Sequence, residues 1–103
     1  MAHYVFNFTS AARPGEDDVF NHWYDTVHIP DVLTVPGFRS CSRYRLVDAA
    51  ATTPRYLAVY EVETNDPQAT LGKLFEASKT MVISPSLDQS QVSITILEPC
   101  SRV

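Results

Sequence analysis

Two residues at helical spacing and two tyrosines on alternating stretches carry most of the chemistry this sequence offers. His28 follows Asp25 by three positions in a segment of helical periodicity, which brings a carboxylate within reach of one ring nitrogen. An imidazole titrating near neutrality suits general acid–base work. In the last turn of a helix the negative dipole end raises its pKa, whereas burial would lower it and leave a neutral base at pH 7. Tyr44 and Tyr60 lie on alternating stretches, with Ser40 and Ser42 beside Tyr44 leaving the space a pocket wall needs. Their phenols are donors suited to a developing oxyanion. Asn7 sits on another alternating stretch as a polar group for a pocket floor, and must be hydrogen-bonded if buried. Arg43 shares a strand face with Arg39 and Arg45 and can take a carboxylate, or be neutralised by Glu61. Trp23 and Tyr24 are aromatic residues for a cavity wall or for the core.

Other chemistries lack their residues. Cys41 and Cys100 stand 59 positions apart with no metal or redox spacing, which reads as one cysteine buried in a strand and one in a loose tail. His22 and Asp25 have ligand spacing but lie off the apolar stripe, so no metal is expected. With Gly15, Gly37 and Gly72 the only glycines, no loop can cradle a phosphate and no dinucleotide fingerprint exists. No nucleophile elbow is present either, so the expected chemistry needs no cofactor.

The elements that must position these groups follow from periodicity. Residues His3 to Thr9 alternate, with Tyr4, Phe6 and Phe8 on one side. Pro14-Gly15 and three acids then open a helix expected over Glu16 to His28, where Val19, Phe20, Trp23 and Val27 fall within about 100° of one another. Tyr24 and His28 flank that stripe, and Pro30 is expected to stop the helix. Pro36-Gly37 turns the chain into a second strand over Phe38 to Val47, and a third runs from Arg55 to Glu63 after a loop at Asp48 to Pro54. In the register expected for this hairpin, Tyr44 faces Tyr60, Arg43 faces Glu61 and Arg45 faces Val59. Asp66 caps a second helix that starts at Pro67 and ends near Lys79, and Gln91 to Glu98 closes the chain as a strand.

This βαββαβ order predicts an α+β, ferredoxin-like fold: a four-stranded antiparallel sheet with two helices on one face. The length of 103 residues fits a single domain spanning 1–103, and 45% apolar residues suffice for its core. A net charge of −4 offers no basic surface for nucleic acid, and no run of 18 apolar residues is available for a membrane span. No leader pattern opens the chain, which leads us to expect a soluble, cytoplasmic protein. Both sheet faces carry large apolar groups while helices cover one, so the other is expected to meet a second copy in a homodimer through sheet-to-sheet packing.

The string Trp23-Tyr24-x-x-x-His28-x-Pro30-Asp31, with Val35-Pro36-Gly37-Phe38, Arg43-Tyr44 and the strand Arg55 to Glu61, resembles the EthD-like branch of the dimeric α+β barrel superfamily over roughly residues 4–63. That superfamily includes lactone isomerases, polyketide cyclases and cofactor-free monooxygenases. The resemblance implies a pocket between sheet and helices in each subunit, with His28 at its edge. This chain departs from the group in having no second histidine on an opposing strand.

Together these readings lead us to expect a cofactor-independent enzyme of isomerase, cyclase or lyase type, acting by proton transfer on an aromatic, polyketide-like or lactone-like organic acid. His28 would move the proton, Asp25 orient it and Tyr44 assist as a donor, while Trp23, Tyr24, Asn7, Arg43 and Tyr60 bind the substrate. The alternatives are a non-catalytic dimeric binder of a small hydrophobic ligand and a cofactor-free monooxygenase in which Trp23 takes part.

Overall fold

The computed structural model describes residues 2–48, 50 and 53–101. Strand β1 (Ala2–Ser10) leads into α1 (Asp17–Trp23), a π-helical turn (Tyr24–His28) and α2 (Ile29–Val32), which run on as one helical arm. Then come β2 (Phe38–Arg45), β3 (Tyr56–Thr64), α3 (Pro67–Ser78), a short 3-10 turn (Gln89–Gln91) and β4 (Ser93–Leu97). The strands form an antiparallel sheet in the order β2-β3-β1-β4, so the ferredoxin-like α+β arrangement is the one adopted. Residues 49, 51 and 52 of the expected Asp48–Pro54 loop lie outside the described residues.

Alternation in β1 and β3 decides which face is buried. Phe6 pairs with Tyr60, Tyr4 with Val62 and Phe8 with Ala58, and this set faces the helices. Phe20, Trp23 and Tyr24 of the arm and Leu74 of α3 close over it. Phe6, Phe20 and Val62 are fully buried. Edge-to-face ring contacts of Phe38 with Phe6 and with Tyr60, each at 5.5 Å, knit β2 into the same core. The apolar stripe of the arm is centred on Phe20, Trp23 and Tyr24; Val19, expected within it, is 61% exposed.

Two local devices, one in β2 and one in the arm, decide which side chains reach the interior between sheet and helices. In β2 the ladder slips by one residue, for Phe38 pairs with Val62 but Ser40 pairs with Glu61. Arg39 is thus the extra residue of a bulge, and the alternation of the strand inverts beyond it. The expected hairpin register is not the one formed: Cys41 pairs with Tyr60, Arg43 with Ala58, Tyr44 with Leu57 and Arg45 with Tyr56. The turn before β2 depends on Gly37, whose φ of +100° is open to glycine and whose Cβ would stand 3.1 Å from the Glu63 carbonyl oxygen.

The second device sits at Pro30. By sequence this proline ends the helix at His28, yet the helical path continues to Val32. A proline ring in an α-helix clashes with the carbonyl four residues back. Here the turn before it is widened, with the Ile29 N–H donating to the Tyr24 carbonyl five residues earlier, and the chain passes Pro30 without breaking. At the other helix, Asp66 caps α3 as expected, its carboxylate accepting from the Ala69 N–H at 3.0 Å, a cap worth about 1 kcal/mol over alanine.

Candidate functional site

The π turn places His28. Residues five apart on an α-helix point about 140° from one another. The wider turn brings His28 back over Trp23, and the two rings stack at 4.8 Å with 27° between their planes. Tyr24 meets the same imidazole edge-on at 4.9 Å. Trp23 is fixed in turn by its indole N–H, which donates to the Val82 carbonyl at 2.9 Å.

His28 lies one turn short of the end of the arm at Val32 rather than in its last turn, so the dipole effect expected to raise its pKa is weaker. Burial instead lowers the pKa, and the nearby Asp31 carboxylate only partly opposes that. The imidazole is therefore neutral at pH 7. Its Nδ1 is buried without a hydrogen-bond partner. Asp25, the expected orienter, does not touch it: its carboxylate accepts from Arg43 Nη1 at 3.1 Å and is 59% exposed.

Below the arm, the inverted alternation of β2 turns Arg43 and Cys41 toward the helices. The Arg43 guanidinium sits among three rings, 4.4 Å from the Tyr24 centroid, 5.4 Å from Tyr56 and 5.7 Å from Phe20. The Tyr60 hydroxyl, buried beside Tyr24 and Cys41, has no hydrogen bond of good geometry. Burial, with Tyr24 and Cys41 alongside, drives its pKa far up and keeps it a neutral donor. Tyr24 is pushed the same way by burial, against the pull of Arg43. Desolvation also raises the Cys41 thiol, so this cysteine is not a ready nucleophile.

The expected site residues thus divide between two faces. His28, Trp23, Tyr24, Tyr60 and Arg43 form one contiguous cluster, with Asp25 at its outer rim. Tyr44 is 58% exposed on the opposite face of the sheet, because the bulge sends it away from Tyr60. Asn7 pairs with Val59 on that open face too, with its Oδ1 buried and unpartnered. The helix-side cluster has three further members that the sequence does not mark as site residues. Tyr56 donates to Asp17 at 2.8 Å, and the Tyr56-Ala58-Tyr60 alternation already puts it on the face of Tyr60. Cys41 and Asn21, whose Oδ1 is also buried without a partner, carry no signal beyond residue type.

A cavity of about 500 Å³ opens elsewhere, at the end of β1, between Ala12, Arg55, Asp88 and Gln91. His28 is not on its wall. Arg55 donates there to the Gln91 side-chain oxygen, while Asp88 accepts from the Ser90 N–H and hydroxyl, so the polar groups of that cleft already serve one another. Among the described residues, no group of three or more His, Cys, Asp or Glu is placed to hold a metal ion, and no helix is long and apolar enough to cross a membrane.

Residues 3–77 match DUF4286, a domain of unknown function. The chain belongs to this family. Among curated proteins, no significant match to the DUF4286 chain exists. Solved structures of the same fold do. A candidate antibiotic biosynthesis monooxygenase from Bordetella bronchiseptica superposes with a TM-score of 0.70 at 14% identity, covering 98% of the DUF4286 chain and 100% of its own. The heme degrader MhuD of Mycobacterium tuberculosis, with two hemes bound in its active site, gives 0.68 at 19% identity over 96% and 98% of the two chains. An EthD family protein from Bacillus halodurans gives 0.50 at 16% identity over 94% and 99%. At these identities the likeness is one of fold. The EthD-like resemblance is therefore met at the level of architecture, and the antibiotic biosynthesis monooxygenase type of ferredoxin-like fold describes the DUF4286 chain better.

Proposed function

We propose that this DUF4286 chain is a small-molecule enzyme that moves a proton without a cofactor, with His28 as the acid–base group and an aromatic, polyketide-like or lactone-like organic acid as substrate. One observation carries the reading. A neutral imidazole whose Nδ1 is buried and unpartnered is a base with no structural occupation for that atom. Trp23 and Tyr24 hold its ring plane from two sides, so it needs little reorganisation to accept a proton. The Tyr60 phenol, neutral and unpartnered, supplies the donor for an oxyanion formed as the proton leaves carbon. In this assignment Tyr60 alone keeps the donor role that the sequence offers to both Tyr44 and Tyr60, and Asp25 has no part in orienting His28.

The working unit is a homodimer through the open sheet face, where Tyr44 and Leu97 remain 58% and 45% exposed and Val5, Leu57 and Val59 are half-buried. The protein acts in the cytoplasm as one domain.

The test is exchange of substrate C–H for deuterium in D2O, followed by proton NMR over a panel of lactones and phenolic acids. Exchange should fall about 100-fold or more in His28→Gln with the fold retained. Ligands that bind without exchange or turnover would make the chain a binder instead. A second reading, a cofactor-free monooxygenase using Trp23, is favoured by the fold shared with the Bordetella protein. Depletion of dissolved oxygen during turnover distinguishes it.

A further inference from the structure

Among the described residues, Arg43 is the cation drawn into the helix-side cluster, with its side chain only 15% exposed. A guanidinium carries five N–H donors on a planar fork and loses solvation when buried. The rings of Tyr24, Tyr56 and Phe20 surround it, with centroids 4.4, 5.4 and 5.7 Å from its central carbon. Its Nη1 is engaged by Asp25 at 3.1 Å. Nε and Nη2 are both buried and both without a partner. Those two nitrogens define one edge of the fork, the edge whose parallel N–H bonds match the two oxygens of a carboxylate.

The surroundings select the charge and shape of what would complete that edge. Tyr60, 1% exposed and also unpartnered, is a neutral donor, and Tyr24 and Cys41 lie against both it and Arg43. Among the described residues, no second carboxylate contacts Arg43 besides Asp25, which sits at the solvent rim as a monodentate, half-exposed and exchangeable partner. We propose that the Nε–Nη2 edge of Arg43 is the seat of a substrate carboxylate, with a planar organic monocarboxylate as the ligand and Asp25 as the internal anion that competes for the guanidinium. This rests on the reading of the helix–sheet interior as the ligand site, and it adds where the acid group of the substrate binds.

Benzoate and its neutral isostere benzamide test it on the full chain. Benzoate should bind at least about tenfold more tightly than benzamide by calorimetry. Arg43→Gln should bring that ratio to about one, whereas Asp25→Asn should tighten benzoate several-fold by removing the competitor. In the wild-type protein, where folding is not in question, the Arg43 Nε–H resonance should move on benzoate addition and stay still with benzamide. Equal affinities, no benzoate binding, a preference that survives in Arg43→Gln, or a silent Nε–H resonance would each overturn the assignment. Carboxylate selectivity through Arg43 together with a loss-free His28→Gln would leave this seat standing and refute only the proton-transfer reading.

Discussion

The imidazole of His28 lies nearly flat on the indole of Trp23, five positions earlier, with 4.8 Å between ring centroids. Only a widened helical turn permits that contact. It links the protonation of the histidine to the environment of the sole tryptophan in the chain.

The first prediction uses that link. Burial places the folded pKa of His28 below its unfolded value of about 6.5. Between the two values the unfolded chain binds more protons, so stability rises with pH there. The contribution is complete above the unfolded pKa and is lost as pH falls through the window beneath it. A charged imidazolium stacked on indole also quenches its emission. Trp23 fluorescence should therefore drop on acidification, in step with the His28 NMR titration, and His28→Gln should remove both this step and the associated slope in stability. A His28 midpoint above 6.5 would reverse the sign and end the neutral-base reading.

Tyr60→Phe should behave unlike an ordinary core substitution. The ring keeps its contacts with Phe8 and Phe38, both at 5.5 Å, and what is lost is a buried hydroxyl that lies against Tyr24 and Cys41 without a hydrogen bond of good geometry. Removing a buried donor that makes no hydrogen bond of good geometry is neutral or stabilising, here by up to about 1 kcal/mol. Urea unfolding with an unchanged slope would show it. A loss greater than this would mean that the hydroxyl is bonded in solution. Exchange activity should fall in the same variant, separating what the hydroxyl does for the fold from what it does for a substrate.

Gly37→Ala is expected to be costly although it adds one methyl group. The new Cβ would meet the Glu63 carbonyl oxygen at 3.1 Å and Thr70 Cγ2 at 3.3 Å, in a backbone conformation that alanine disfavours. A destabilisation of about 1–3 kcal/mol should result. The Glu63 N–H, which donates to the Gly37 carbonyl at 2.9 Å, should then lose hydrogen-exchange protection. Wild-type protection at that amide would count against the strain argument.

The sheet and its helices are legible in the sequence because alternation and capping are local signals. Phe6 and Tyr60 announce their face by their neighbours, and Asp66-Pro67 announces a helix start. The site is legible only in composition. His28, Trp23, Tyr24, Arg43 and Tyr60 do meet, but the reasons they meet are not local. Nothing in Phe38-Arg39-Ser40 marks the slip that turns Arg43 inward and Tyr44 outward; it is fixed by the core demand of Phe38 against Phe6 and Tyr60. Likewise the Pro30 ring reads as a stop, and only the packing of Trp23 and Tyr24 on the sheet makes a wider turn cheaper than a break. Asp25 does lie on the helical arm, but its partner is Arg43 and not His28, since helical angle alone says nothing of an arginine arriving from a strand.

The extra residue at Arg39 bears on how the length of β2 may change. Removing Arg39 itself would straighten the ladder and leave Cys41 and Arg43 on their present side. Removing Ser42 instead, with the residues before it held in place, would rotate Arg43 out to the open sheet face. Two deletions of equal size, three positions apart, would shorten the stretch from Phe38 to Arg43 equally and have opposite outcomes for the chemistry inside, so in relatives of this chain the place of a missing residue relative to the bulge matters as much as the presence of the arginine.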